Sequence, residues 1–360
     1  MNSDDSRENS LQACCGSIQK ESASAWCCAG NTGPAPVIHT TTDFITFENR
    51  WDHFLARWGI NRVGHIVAPG LYRLGNPTAG SPVFASANYT LSFDALRSVL
   101  SGIDAYILVL DTNGINVWCA AGKGSFGTDE LVRRIDVTGL SGIVSHRRII
   151  LPQLGAPGVS AHEVSRRSGF SVEYGPVRAR DLPAYLATHT ATREMRTVRF
   201  TLADRLVLTP VELVHILLPM IAAVIALYFL AGPVAALAAV VAVLSGTVLF
   251  PALLPVIPTR DFSTKGFILG AIVAIPFAVT FALKPGMSGI VRIVTVLVPL
   301  LIMPVVTAYL ALNFTGSTTF TSRTGVKKEI FRYVPAMVLM AGVGTILGIA
   351  LGILRLMGVA

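Results

Sequence analysis

AYILVLDTNGINVWCAAGKG (residues 105–124) holds a strand, a tight turn and a helix start in one short stretch. AYILVLD (105–111) is apolar without alternation, the pattern of a strand covered on both faces. Asn113 and Gly114 form a turn pair. Asn116 is a strong N-cap for a helix beginning at Val117. Cys119 then falls at N3, where backbone N–H groups and the helix dipole favour a negatively charged sulfur. Ala120, Ala121 and Gly122 keep this helix thin, so a flat ligand can lie against it. Trp118 is expected to pack the opposite face into the domain. The bland alternative for Cys119 is a buried structural thiol.

Outward from this stretch, strands and helices alternate. VFASANYT (83–90) reads as a strand and its exit, and FDALRSVLSG (93–102) as a helix ended by glycine. GTDELVRRI (127–135) starts with a Thr/Asp cap and continues as a helix. RRIILPQL (147–154) is a second buried strand, SAHEVSRRSG (160–169) a helix, FSVEYGP (170–176) a strand and RDLPAYLATH (180–189) a last helix. Such alternation implies a Rossmann-like α/β domain with a doubly wound parallel sheet over residues 37–190. Ligands in such folds bind beyond the carboxyl ends of the strands. ANYT (87–90), DTNGINVWC (111–119), LPQLGAPG (151–158) and YGP (174–176) leave strands there.

Two nucleotide-loop patterns in the region fail on context. Gly122, Gly124 and Gly127 spell GxGxxG, but the strand ends near Leu110 and a turn-helix element over 114–122 intervenes. GINVWCAAGK (114–123) is too long for a phosphate loop, and Gly124 stands where Ser or Thr is needed after Lys123. There is no HExxH, CxxC or GxSxG, and no DxHxxG cobalamin signature. His146 reads as a surface residue before a strand, a weak partner for a Cys–His hydrolase.

The 52% hydrophobic and 14% charged content averages two unlike halves, with residues 211–360 overwhelmingly apolar. Five stretches, about 211–231, 233–257, 266–283, 289–313 and 333–358, approach or exceed the roughly 20 apolar residues that cross a bilayer core. This is an all-α transmembrane domain of five helices behind a basic linker, 191–210. Arg193, Arg196, Arg199 and Arg205 precede the first span. Arg260 and Lys265 lie between the second and third. Arg323, Lys327, Lys328 and Arg332 lie between the fourth and fifth. The opposite side has Lys284 and Arg355. The positive-inside rule then puts the α/β domain in the cytoplasm and the carboxyl terminus outside, in a multi-pass protein of the cytoplasmic (inner) membrane. Topology accounts for most of the +8 charge, so no nucleic-acid partner is needed. The spans hold few ionisable residues; His215 and Arg292 stand out, both near span ends, which favours an anchor over an ion path.

Residues 1–36 lack the basic and apolar regions of a secretory signal. Their Ser, Asn, Gly and Pro content predicts a disordered tail. It carries the vicinal pairs Cys14–Cys15 and Cys27–Cys28, either incidental or a pair of soft ligands for a soft metal ion. A reducing cytoplasm argues against a disulfide framework.

NVWCAAGK (116–123) resembles the cap-helix motif of the corrinoid protein of microbial mercury methylation. The stretches 70–96, 103–135 and 151–186 resemble the corrinoid-binding domain that this family shares with the large subunit of the corrinoid iron–sulfur protein of the acetyl-CoA pathway. The latter is not expected to have a thiol ligand at the cysteine, and the five-span half also matches the mercury family. The resemblance covers roughly 43–360. It implies a cobalamin-type corrinoid, bound base-off, with Cys119 as lower axial ligand of cobalt. Asn116, Val117, Trp118, Cys119, Ala120, Ala121, Gly122 and Lys123 form the cap helix beneath the ring, after Gly114. Asn88, Tyr89, Thr90, Leu154, Gly155, Ala156, Pro157 and Gly158 are expected to line the corrinoid or its tail.

The activity so implied is a corrinoid-dependent methyltransferase, passing methyl from Cys-ligated methyl-Co(III) to inorganic Hg(II). Hg(II) is an electrophile, and a strongly donating thiolate favours a carbanion-like transfer. The resemblance also implies a ferredoxin-like 4Fe-4S reductant protein and a methyltetrahydrofolate-linked methyl donor. The alternatives are a corrinoid methyl carrier for a different acceptor, a membrane metal transporter with a cytosolic thiol domain, and a nucleotide-dependent membrane enzyme.

Overall fold

The computed structural model describes residues 37–61, 64–287, 289–318 and 320–357. Strand β1 (Ile38–Thr41) leads through helix α1 (Phe47–Arg57) to β2 (Gly70–Leu74) and β3 (Val83–Ala87). Helix α2 (Thr90–Arg97), β4 (Ala105–Leu110) and the short helices α3 (Val117–Lys123), α4 (Thr128–Val137) and α5 (Leu140–Ile143) follow. Then come β5 (Arg148–Leu151), α6 (Ala161–Ser168), β6 (Ser171–Tyr174) and α7 (Leu182–Thr188).

The strands form one sheet in the order β1-β2-β4-β3-β5-β6. β4 is central and every residue in it is buried. Tyr106, Leu108 and Leu110 face one layer, with Leu131, Val132, Ile135 and Val164 of α4 and α6. Ala105, Ile107 and Val109 face the other, with Phe93 of α2 and Leu182 and Tyr185 of α7. Burying each such large side chain contributes roughly 1.5–3 kcal/mol.

The sheet is mixed, which corrects the expected all-parallel arrangement. β2 pairs antiparallel with β4, while all the other pairs are parallel. The cause is chain length. A parallel return needs a crossover of a dozen or more residues, and only residues 75–82 join β2 to β3. β2 therefore starts, at Gly70, beside the carboxyl end of β4, at Val109.

Beyond the α/β part run α8 (Leu202–Leu206), α9 (Thr209–Ala231), α10 (Pro233–Leu244), α11 (Phe250–Leu253), α12 (Phe262–Ala282), α13 (Gly289–Asn313) and α14 (Arg323–Leu356). Among the described residues, five helical stretches are long and apolar enough to cross a membrane. The second stretch runs Pro233–Leu253 and carries a π-helical turn, Ser245–Leu249, between α10 and α11. Pro251 has no N–H to give the carbonyl of Thr247, and a wider turn accommodates the loss. The last helix begins ten residues before the expected 333, behind the Ser322 cap.

Lys265, expected in a loop, lies inside α12 and is buried. Its Nζ donates to the carbonyls of Leu254, at 2.9 Å, and Ile257. Glu329 of α14, also buried, accepts from the N–H groups of Phe262 and Ser263 at the start of α12. The two charges thus satisfy the loose ends of α11 and α12. The linker is held as well: Val177 N–H donates to Met195 O at 2.8 Å. Arg196 bonds Gln153 at 2.6 Å and Arg178 pairs with Asp204 at 2.5 Å.

α12 and α13 approach through Gly266 and Gly270, a small-xxx-small pair. A Cβ on Gly266 would lie 2.5 Å from Ala308 Cα, and one on Gly270 2.5 Å from Pro304 Cα. Gly348 on α14 has nothing within 4 Å. Gly266→Val and Gly270→Val should each destabilise the chain by about 1–3 kcal/mol, the usual cost of overpacking. Thermal melting of the purified chain should show that loss, with Gly348→Val close to wild type.

Candidate functional site

The turn after β4 forms as expected. Ile115 N–H donates to Thr112 O at 3.2 Å. Asn113 and Gly114 between them both have positive φ, 54° and 67°, a type I′ geometry that favours Asn-Gly. The side chain of Asn88, 2% exposed, clamps this turn. Its Oδ1 accepts from Thr112 N–H (3.0 Å), Thr112 Oγ1 (2.8 Å) and Gly114 N–H (3.0 Å). Its Nδ2 donates to Asp111 at 3.3 Å. Asn88 thus supports the turn from inside.

The turn launches α3 at Val117. Asn116 Oδ1 accepts from Cys119 N–H at 2.9 Å, the N-cap bond anticipated from its position. Val117, Ala120 and Ala121 are the buried face of this helix. At about 100° per residue, Cys119, Gly122 and Lys123 fall on the opposite face. Cys119 is half-buried, and Gly122 and Lys123 are exposed. A Cβ built on Gly122 meets no atom within 4 Å. Open space therefore lies one turn beyond the thiol.

The small residues divide into two roles. Ala120 and Ala121 pack inward, beneath the helix, and not against an external ligand. Gly158 admits α3 to the loop after β5, since a Cβ there would lie 2.9 Å from Ala121 Cα and 2.2 Å from Phe126 O. Only Gly122 provides clearance on the outer face. Trp118 is likewise corrected: it is half-buried and lines a cleft instead of filling the core.

That cleft, about 410 Å³, opens beside the first turn of α3. Ser86, Tyr89, Ser92, Trp118, Pro152 and Leu154 are among its walls, with Gly175 and Pro176 from the end of β6. Of the expected lining residues, Tyr89 and Leu154 reach it. Thr90 Oγ1 donates instead to Asp52 at 2.7 Å. Gly155 is buried, while Ala156, Pro157 and Gly158 continue the loop under α3. Tyr174 O–H donates to Val159 O at 2.6 Å and holds that loop to β6. Burial pushes the Tyr174 hydroxyl above its usual pKa, against an opposing backbone bond from Ala161, so it stays a neutral donor. Ser86 and Ser92 had no distinguishing sequence signal, while Pro152 lies in the strand exit 151–158. Cys14, Cys15, Cys27 and Cys28 lie outside the described residues. His146 Nε2 bonds Ser81 O at 2.8 Å, a structural use.

Among the described residues, no three His, Cys, Asp or Glu side chains converge as a metal-binding group. A metal at Cys119 would need its remaining ligands from elsewhere.

Residues 61–186 match the family model described as the CO dehydrogenase/acetyl-CoA synthase delta subunit. A 122-residue segment is 32% identical to the acetyl-CoA decarbonylase/synthase complex subunit gamma of Methanopyrus kandleri, covering 33% of this chain and 26% of that protein. The corresponding subunit of Methanosarcina acetivorans is 31% identical over 121 residues, 32% of this chain and 25% of the relative. That of Methanocaldococcus jannaschii is 37% identical over 92 residues, 25% of this chain and 19% of the relative. The chain thus spans about a quarter or less of the length of these relatives. The matched family region runs from before β2 through α3 to α7 and stops short of the apolar helices.

Asn88→Ala would leave the buried N–H groups of Thr112 and Gly114 without their acceptor. The expected loss is about 2–3 kcal/mol, read as a lower melting temperature of the full chain. The Cys119 thiol should also react faster with a soluble maleimide, because α3 loses its support.

Proposed function

We propose that this chain is a membrane-anchored, corrinoid-dependent methyltransferase acting on inorganic Hg(II), with Cys119 as the lower ligand of cobalt. The observation that carries the reading is the outward position of Cys119 at N3 of α3, beside open space at Gly122. The donor set fits. A single soft thiol, with no neighbouring metal-binding group among the described residues, suits a metal whose equatorial positions a macrocycle fills. The 410 Å³ cleft beside Trp118 would offer room for part of a corrinoid next to α3. Family similarity over 61–186 supports a corrinoid domain.

A bound corrinoid supplies a cobalt that carries and releases a methyl group. The chain supplies the rest. Cys119 Sγ would hold the metal and donate electron density to it, a bias that suits an electrophilic acceptor such as Hg(II). Asn116 holds the backbone at Cys119 and so fixes the sulfur. Val117, Ala120 and Ala121 hold the helix to the core. A ferredoxin-like iron–sulfur reductant and a methyltetrahydrofolate-linked donor would serve the cycle. The apolar helices act as an anchor: the buried charges there, Arg205, Lys265 and Glu329, are all engaged with backbone groups. Cytoplasmic placement of the α/β domain, in an inner membrane, follows from the loop charges.

The names of the relatives favour a second reading, a corrinoid methyl carrier for a carbon-metabolism complex. Product analysis separates the two, because only the first yields methylmercury.

Cys119→Ala in the full chain should change the visible spectrum of the bound corrinoid. It should also lower methylmercury formation by more than the ~10–100-fold typical of outer-shell changes. Persistence of both spectrum and activity would sink the thiolate assignment. If the paired cysteines of the tail deliver Hg(II), removing residues 1–36 should slow methylation at limiting Hg(II) and leave it unchanged at saturation.

A further inference from the structure

Helix α1 is docked the wrong way round for a soluble domain. Its polar face meets the protein. Asn49 accepts from Arg97 at 2.9 Å, and His53 pairs with Asp94 at 2.7 Å. Asp52 takes His65 Nδ1 at 2.6 Å and Thr90 Oγ1 at 2.7 Å. No residue of α1 is fully buried. The opposite face is an aromatic stripe at helical spacing, Phe47, Trp51, Phe54 and the cap residue Trp58. Phe47 is 80% exposed, Trp51 53% and Phe54 45%. Trp51 and Phe54 stack at 5.3 Å, and Phe54 and Trp58 lie 5.6 Å apart. Arg50 and Arg57, both exposed, flank one edge of the stripe.

The position of α1 says what covers it. Gly59, just beyond Trp58, abuts the first candidate span: a Cβ there would lie 2.8 Å from Val211 Cγ2. Val211 is in the opening turn of α9, within the apolar stretch Leu202–Ala231. The preceding Leu202, Leu206 and Val207 are exposed too. The stripe therefore begins where the first span enters the bilayer. Aromatic rings with flanking arginines are what a headgroup–acyl boundary accepts.

We propose that α1 lies on the lipid surface, its Phe47–Trp58 stripe inserted at the headgroup level beside the entry of α9. This rests on the membrane reading of the apolar helices but not on the corrinoid or mercury assignment. The chain provides its own probes, since its four tryptophans (26, 51, 58 and 118) all lie outside the candidate spans. The full chain is reconstituted in phosphatidylcholine–phosphatidylglycerol vesicles containing phosphatidylcholine brominated at carbons 6 and 7. Lipid-dependent quenching of tryptophan emission is expected, and it should be lost in W51F/W58F and retained in W26F. Wild-type protein without such quenching, or quenching that survives W51F/W58F, overturns the proposal. So does shielding of Trp51 and Trp58 from both lipid bromines and aqueous acrylamide, which would mean that a second protein surface covers the stripe. Alkaline carbonate extraction of the same vesicles reads the spans separately. A chain that resists extraction yet shows no quenching keeps its spans and loses the interfacial helix. A chain that is extracted loses both.

Discussion

The arrangement around Cys119 depends on one buried amide. Asn88 Oδ1 accepts three hydrogen bonds from the turn that follows β4, and no apolar side chain at that position can replace them. Those bonds hold two residues of positive φ in sequence and point the chain into α3. The cap at Asn116, the buried face of α3 and the outward thiol all follow from where that turn ends. The position of the thiol therefore falls to the support beneath α3.

Local chemistry was legible in the sequence. Asn116 as N-cap, Val117 as the first helical residue and Asn113-Gly114 as the turn each depend on a few neighbouring residues, and the structure agrees with all three. The five long apolar stretches were readable by length alone. What depended on distant partners was not. The direction of β2 follows from the short link to β3 and from which strand it meets, so alternation of elements suggested a parallel sheet. Asn88 was legible as a residue leaving a strand end, but not its hydrogen-bond partners, which lie 23–26 residues on. Ala120 and Ala121 looked like ring clearance because a helical face cannot be oriented without its surroundings.

Charges in apolar surroundings misled for the same reason. Lys265 reads as a loop charge until the carbonyls of Leu254 and Ile257 are seen around it. Glu329 gives no sign in sequence of capping a helix more than sixty residues away. Helix α1 shows the converse error. An aromatic stripe at helical spacing normally marks a core face, yet here the core side is the hydrogen-bonded one.

The reversed β2 also bears on how the two halves of the chain are joined. It brings the segment after α1 to the carboxyl ends of β3 to β6, where Ile66 bridges to Tyr89. At that same end Gln153, Val177 and Arg178 grip the linker through Arg196, Met195 and Asp204. A flexible tether lets a domain sample a volume that grows with its length. This one is a bracket, fastened on one side by α1 at Gly59 and Val211 and on the other by the linker. With the apolar helices set in a membrane, such a bracket would hold Cys119 at one height above it rather than let it roam.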